Sequence, residues 1–372
     1  MKDMNCGRLL DRVRLIATRR VSMSRQEQAY HSAVCLAGLV REDGSFLYRY
    51  DSRSGEPKGG YNILRHAGAI WALLETFRDT RDERLLSGAQ RATHYLLASS
   101  LRFFRSYNNI CICEDNTIKL GGNALAALAL LSLFEVTRER LLLTLAEQLC
   151  QFMLDQRRQH GDLVHKRYFE SGKISAFKSM YYTGEALLAL LTLYQQTGDS
   201  RWLDAAIEIE EPLATEGYGV AEQSHWMLYT LERLACFSPS PIYLRHAAAI
   251  AVDILDNPEY LAGERSTPIA CRTEGLLAFL RQPSSRHGED SALRARCLEQ
   301  VEHNLDQQMT FRLDDGAFIR GGNDHRHHEV RIDYIQHNIS SLLLYSRLDP
   351  SGQSGKSTEA VHNEFTRDDQ TR

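Results

Sequence analysis

The sequence predicts an all-α protein in which six pairs of helices close into a ring. Residues 181–196 (YYTGEALLALLTLYQQ) form a helix with almost no polar face, and after a short turn an amphipathic helix follows. A helix that is apolar all round belongs inside a protein. The same unit recurs along the chain every several tens of residues, which is typical of a repeat architecture.

Twelve helices of two alternating kinds are predicted. The outer, amphipathic helices are expected at residues 26–41, 83–99, 138–157, 201–215, 242–255 and 291–308. The inner, apolar helices are expected at residues 61–77, 119–134, 181–196, 220–236, 267–280 and 332–346. Each inner helix has too few polar positions to face water, so all six are expected to form the wall of one central funnel.

The connections that lead into the inner helices are mostly long, and several alternate like strands. Residues 45–50, 101–118 and 161–180 show this pattern, and we expect short β-hairpins there. If the inner helices run parallel, these loops and the six inner N-termini all lie on one face. An open solenoid of helix pairs is the alternative, but the irregular spacing and the strand-bearing loops favour a closed ring.

Length and composition allow a large core. The chain has 372 residues, 43% of them hydrophobic, and a net charge of -4 that gives no reason to expect nucleic acid as a partner. The apolar runs are expected to fall short of the roughly 18 residues needed to span a bilayer, so no membrane insertion is expected. The basic N-terminal segment lacks an apolar signal core, which predicts a cytoplasmic location.

The domain organisation predicted from these patterns has three parts. Residues 1–25 form a basic arm, residues 26–348 form the helical ring that carries any catalytic site, and the polar residues 349–372 form a disordered tail. The eight cysteines fall mainly in helical core patterns, and no disulfide is expected.

The predicted ring resembles the (α/α)6 toroid of the six-hairpin glycosidase superfamily over residues 26–348. The segment 331–344 (RIDYIQHNISSLLL) also resembles the Tyr- and His-bearing C-terminal helix of glucuronyl C5-epimerases, which share this toroid. Lanthionine cyclases have an α-toroid as well, but their zinc-binding cysteine and Cys-His elements are not evident in this sequence. The resemblance implies the fold and a carbohydrate-active enzyme.

Polar residues cluster where the inner helices begin, and helix N-termini favour negative charge. The catalytic candidates are Asp115, Tyr182, Glu185, Glu222, His225, Asp333 and His337. The substrate-binding candidates are Tyr61, Arg65, His66, Tyr181, Trp226 and Arg272. Any single carboxylate here can instead be a capping group, and a histidine on an apolar helix is more often a core residue. Their convergence in a closed ring favours one shared site, because buried unpaired charges are costly.

The leading hypothesis is an enzyme that acts on an acidic, uronate-containing oligo- or polysaccharide. Glycoside hydrolysis needs two carboxyl groups, drawn from Asp115, Glu185, Glu222 and Asp333. Proton abstraction at C5, as in a lyase or epimerase, would instead use Tyr182, His225 or His337 as base.

Two further alternatives stay open at this stage. A non-enzymatic binding or scaffold toroid predicts a cavity plugged by side chains, and a terpenoid-type enzyme predicts an apolar one. No cofactor and no metal are expected, because residues 324–329 (DHRHHE) lack helical ligand spacing and are interpreted as a solvated loop. The sequence leaves the oligomeric state open.

Aromatic residues in the predicted loops offer flat faces that suit stacking against sugar rings. They are Phe46, Tyr48, Tyr50, Phe103, Phe104, Tyr107, Tyr168 and Phe169. An equally good interpretation is that these side chains cover the core.

Overall fold

The computed structural model describes residues 23–106, 109–158, 163–257, 263–283 and 291–348. Twelve helices lie in this part of the chain. The outer helices are α1 (Arg25–Gly38), α3 (Glu83–Ser100), α5 (Arg140–Asp155), α7 (Ser200–Glu216), α9 (Pro241–Asp256) and α11 (Ser291–Met309). The inner helices are α2 (Ile63–Thr80), α4 (Leu120–Thr137), α6 (Tyr182–Thr197), α8 (His225–Phe237), α10 (Ser266–Arg281) and α12 (Ile332–Ser346). All twelve predicted helices are present. The basic arm, except for its last residues, and the polar tail lie outside the described residues.

The six inner helices close into a ring. They pack side by side in chain order from α2 to α12, and α12 packs in turn against both α2 and α1. Across this closure Ser340 donates a hydrogen bond to Glu75 (3.2 Å), and Arg347 pairs with Asp79 at 2.8 Å. The predicted toroid is therefore confirmed, and the open solenoid is excluded.

Helix α4 illustrates why the inner helices are apolar. Every residue from 120 to 133 is buried between neighbouring helices. The helix has 18 residues and is apolar enough to cross a membrane by length and composition, contrary to the expectation from sequence, but 78% of it is buried inside the protein. Packing within the ring therefore accounts for its composition.

Three of the inner-to-outer connections use the same two-residue turn. Helix α2 ends at Arg81, whose backbone is left-handed, and the side chain of Asp82 then accepts the N–H of Arg84 at the start of α3. Arg138 and Gly198 are left-handed at the same point after α4 and α6. Such turns provide hydrogen-bond donors for the last carbonyl groups of the helix and hold the paired helices antiparallel. The long connections therefore lie together at the other end of the ring.

The strands lie in those long connections, and all but the last overlap a stretch that was predicted to be strand-like. Strand β1 (Arg49–Asp51) pairs with β6 (Glu329–Arg331). The other strands, β2 (Leu101–Phe103), β3 (Ile110–Glu114), β4 (Thr117–Lys119) and β5 (Lys166–Tyr168), form one antiparallel sheet. Because β4 and β6 run directly into α4 and α12, the strands fix where these two inner helices begin.

The cysteines predict a simple chemical result. The seven that lie in the described part of the chain are free: Cys35, Cys111, Cys113, Cys150, Cys236, Cys271 and Cys297. We expect a thiol titration of the unfolded, unreduced chain to find all eight cysteines of the sequence free. A lower count that returns to eight after reduction would reveal a disulfide.

Candidate active site

One end of the ring axis opens into a cavity of about 900 Å³. Ten of the thirteen residues predicted from sequence line it: Arg65, Tyr181, Tyr182, Glu185, Glu222, His225, Trp226, Arg272, Asp333 and His337. The cavity is open and bears charged side chains, so it is neither the plugged funnel of a scaffold nor the apolar one of a terpenoid-type enzyme.

Three predicted residues lie outside this cavity. The hydroxyl of Tyr61 accepts the N–H of Phe46 and lies 2.8 Å from Nδ1 of His66, whose Nε2 lies 2.8 Å from the carbonyl of Ala92. Tyr61 and His66 are thus hydrogen-bonded core groups directed towards α3. Asp115 occupies the exposed turn between β3 and β4 with a φ of 47°.

The aromatic residues of the loops are also absent from the cavity wall wherever the structure describes them. Phe46, Tyr48 and Phe104 are buried in the core, whereas Phe103 and Tyr168 are exposed. Tyr107 lies outside the described residues. The core-covering interpretation therefore fits Phe46, Tyr48 and Phe104, and none of the described loop aromatics offers a stacking face to this cavity.

Asp333 lies in a buried ionic network with two arginines. Arg331 donates two hydrogen bonds to its carboxylate (2.5 and 2.9 Å), and Nε of Arg65 lies 3.0 Å from Oδ2. Burial alone would raise the pKa of Asp333, but the Arg331 and Arg65 charges outweigh it and hold that pKa below its usual value. Asp333 is therefore an ionised group that fixes both guanidinium groups, and a poor proton donor.

Glu185 has the opposite environment. Its side chain is buried, and Oε2 has no hydrogen-bond partner within the described ranges. Burial raises the pKa of Glu185 to about 8, so the carboxyl group is largely protonated at neutral pH. The space for it comes from α4, where a Cβ added at Gly121 would overlap Oε2 of Glu185.

We therefore expect Gly121→Ala to damage the site. The new methyl group must displace Glu185 and the ring of Tyr182, which costs about 1–3 kcal/mol as overpacking and moves a cavity residue. Gly122→Ala is the matched control, because its Cβ would meet Ile112 and Lys119 only at 3.9 Å. Thermal unfolding of both variants checks this, and equal destabilisation by the two would contradict it.

His225 and His337 lie face to edge in the cavity wall, with ring centroids 5.4 Å apart and planes at 80°. Nε2 of His225 is buried without a hydrogen-bond partner among the described residues. Burial lowers the pKa of His225 well below its usual value, which keeps the ring neutral. The rings of Tyr181 and Trp226 enclose this imidazole, at centroid distances of 5.5 and 5.0 Å.

A buried carboxyl group, that of Glu274, fixes the position of the His337 ring. Oε1 of Glu274 lies 2.8 Å from Nδ1 of His337, and Oε2 accepts the hydroxyl of Tyr229, also at 2.8 Å. Burial alone would lower the pKa of His337, but Cys271 and Glu274 outweigh it and raise that pKa well above its usual value. The two histidines therefore favour opposite protonation states.

Cys271 is one of the cavity residues that sequence reasoning missed. Its sulphur and one ring nitrogen from each of His225 and His337 all lie within 4.8 Å of one another. A usable signal was present, because Cys271 directly precedes Arg272 in the opening turns of an inner helix. Glu274 also escaped the predicted set, since its role depends on contacts with two other helices.

The remaining predicted residues, Glu222, Arg272 and Tyr182, also line the cavity. Helix α8 begins at His225 and not at residue 220, so Glu222 lies in the preceding turn and is exposed. Arg272 donates to the side chain of Gln223 in that same turn. Tyr182 packs against His165, with ring centroids 5.9 Å apart.

No protein-family model and no curated protein sequence matches this chain. Solved structures do match. A D-mannose isomerase structure has a TM-score of 0.69 at 12% identity, covering 86% of this chain and 97% of that one. The cellobiose 2-epimerase of Bacillus thermoamylovorans gives 0.67 at 14% identity, covering 83% and 94%. The unsaturated glucuronyl hydrolase of Bacillus sp. GL1 gives 0.62 at 15% identity, covering 87% and 97%.

The chain thus shares its (α/α)6 toroid fold with these structures, as its sequence predicted. At these identities the likeness establishes the fold, and the chemistry has to be argued from the cavity itself.

Proposed function

We propose that this protein is a carbohydrate-processing enzyme that isomerises or epimerises a sugar by moving a proton next to its carbonyl group. The observation that carries the proposal is the pair of imidazoles in one open cavity. Nε2 of His225 has no hydrogen-bond partner within the described structure. The ring of His337 faces it and is held in place by its hydrogen bond to Glu274. Two groups of this kind can act as base and acid on the same substrate.

The reaction needs only proton transfers. His225 removes the proton from the carbon beside the carbonyl, while His337 donates a proton to the carbonyl oxygen, which gives a neutral enediol. Return of a proton to the same carbon from the other face, with return of the proton on the former carbonyl oxygen to His337, yields the epimer. Return to the neighbouring carbon, with loss of the hydroxyl proton, yields the isomer. One proton leaves carbon and one returns, so no oxidant or reductant is required.

The charge of the cavity supports an acidic sugar as substrate, as the sequence suggested. Six arginines line it: Arg65, Arg265, Arg272, Arg320, Arg326 and Arg331. Four of them hold carboxylates: Arg65 and Arg331 hold Asp333, Arg320 holds Asp324, and Arg326 holds Glu329. Arg265 lies exposed at the mouth, where it can meet an incoming carboxylate. A uronate or uronate-ended oligosaccharide is therefore the substrate class we propose.

The structures that share this fold include a D-mannose isomerase and a cellobiose 2-epimerase, and both names support isomerisation or epimerisation of a sugar. They also include a glucuronyl hydrolase, which is consistent with an acidic substrate.

Glycoside hydrolysis is the second candidate, and Glu185 is the observation that favours it. A buried carboxyl group with a pKa of about 8 is suited to protonating a leaving oxygen. The second carboxyl group is harder to supply, because Asp333 is held by two arginines and Glu222 lies exposed at the mouth. Proton transfer by the histidines therefore remains the better supported reaction.

The two candidates separate in one experiment. The protein is incubated in deuterated water with neutral sugars, uronates and uronate-ended oligosaccharides, and the products are followed by NMR and mass spectrometry. We expect an isomer or epimer with one deuterium on carbon and unchanged chain length. New reducing ends without deuterium on carbon would support hydrolysis, and no product from any sugar would overturn both proposals.

A further inference from the structure

Three side chains in the cavity have the composition of a metal site. His225, Cys271 and His337 come from the three consecutive inner helices α8, α10 and α12, and their donor atoms lie within 4.8 Å of one another. Imidazole nitrogen and thiolate sulphur are the ligands that zinc prefers. In a tetrahedral zinc site with bonds of about 2.0–2.3 Å, the donor atoms lie roughly 3.5 Å apart. Side-chain rotations that move these three donor atoms by roughly 1 Å would therefore bring them to bonding distance of one ion.

Two further contacts resemble the surroundings of bound metals. Nδ1 of His337 is bonded to Glu274, which itself accepts the hydroxyl of Tyr229, so an ion would bind Nε2 of His337 and replace the contact of this ring with the Cys271 thiol. A histidine ligand supported by a carboxylate in this way is the usual second layer of a zinc site. Nε2 of His225 is buried and lacks a hydrogen-bond partner in the described part of the chain, which a metal bond would provide.

We propose that His225, Cys271 and His337 form a binding site for a soft divalent metal ion of the zinc class, with its fourth position open to the cavity. Binding forms one metal–sulphur and two metal–nitrogen bonds, and the thiol proton of Cys271 and any proton on His337 pass to solvent. The thiolate and the Glu274 carboxylate balance the charge of the ion. The metal would also withdraw both histidines from proton transfer, so it is expected to inhibit the proposed reaction.

Cobalt reports this site directly, because a cobalt–thiolate bond produces a charge-transfer absorption band in the near ultraviolet. The reduced, chelator-treated full chain is titrated with Co²⁺, and we expect one equivalent to produce the band and Zn²⁺ to displace it. Cys271→Ser should lose the band. Cys236→Ser, which removes an exposed thiol outside the cavity, should keep it. Glu274→Gln should weaken binding about 10- to 100-fold.

An independent measurement needs no variant. Zn²⁺ should protect Cys271 of the wild-type chain from alkylation and leave Cys236 reactive, as read by mass spectrometry, so a failure of Cys271→Ser to fold does not block the test. The site is refuted if Cys271→Ser folds and keeps the band, or if Zn²⁺ leaves Cys271 unprotected. It is also refuted if binding disappears only when His325 and His328 of the exposed loop are changed to Ala.

The proposed metal site and the proposed reaction are tested independently of each other. Metal binding is measured without a substrate, so it stands if no sugar is turned over. Only the expected inhibition by zinc rests on the proposed function.

Discussion

His225→Gln is expected to lower sugar turnover by roughly 10²- to 10⁴-fold, the usual contribution of a general base. The fold should tolerate the change. Nε2 of His225 makes no hydrogen bond to any described residue, so its removal leaves no partner unsatisfied. Steady-state turnover and thermal unfolding of the same preparation measure the two effects.

His246 is the matched control, because it is a buried histidine that does not line the cavity. Its two ring nitrogens lie 2.8 Å from Glu210 and from the carbonyl of Tyr218. His246→Gln should therefore lower the melting temperature and leave the turnover of folded protein nearly unchanged. If His225→Gln retains wild-type turnover, or loses it only by unfolding, His225 is not the base.

Asp333→Asn is expected to destabilise the protein by about 3–5 kcal/mol, the usual cost of removing one partner from a buried ion pair. The neutral amide would leave Arg65 and Arg331 beside each other without their counter-charge. Asp306→Asn is the matched control, because Asp306 is largely exposed in its pair with Arg25 and should cost no more than about 1 kcal/mol. Denaturant unfolding at pH 7 measures both.

The effect of Asp333 should also depend on pH. Its folded-state pKa lies below the unfolded value of about 3.9, so its stabilisation is present above that value and is lost as the pH falls through the folded pKa. Wild type and Asp333→Asn are therefore expected to converge in stability in strong acid. A constant difference down to the lowest pH, or a neutral effect at pH 7, would show that the ion pairs contribute little.

The sequence predicted the ring because its signal is periodic and local. An inner helix such as α4 is apolar on every side, and the turns after α2, α4 and α6 repeat the same two-residue pattern. The rule that inner-helix starts converge also located most of the cavity, since it depends only on which end of each helix faces the funnel.

The direction of each side chain was less predictable, because one helical residue corresponds to a rotation of about 100°. Arg65 and His66 are neighbours in the first turn of α2, yet Arg65 reaches Asp333 while His66 bonds to α3. A start displaced by one or two residues is within the error of any sequence pattern, and it is enough to exchange their roles.

Partners distant in sequence were the second limit. Asp333 is a plausible acid or base by position, and only the fold brings Arg65, which is more than 250 residues away in the sequence, against it. Glu274 likewise acquires its role from Tyr229 on one neighbouring helix and His337 on the other. Neither relation leaves a trace in local spacing.

The closure of the ring by α12 affects how the protein is made. Asp333 and His337 lie on the last of the six inner helices, while Arg65 lies on the first, so a growing chain holds an incomplete site through most of its synthesis. Contacts between segments so far apart in sequence also slow folding, because the chain must lose much entropy before they form. Until α12 docks, the apolar flanks of α2 and α10 remain uncovered, and this is the stage at which a nascent chain is most exposed to aggregation and most in need of a chaperone.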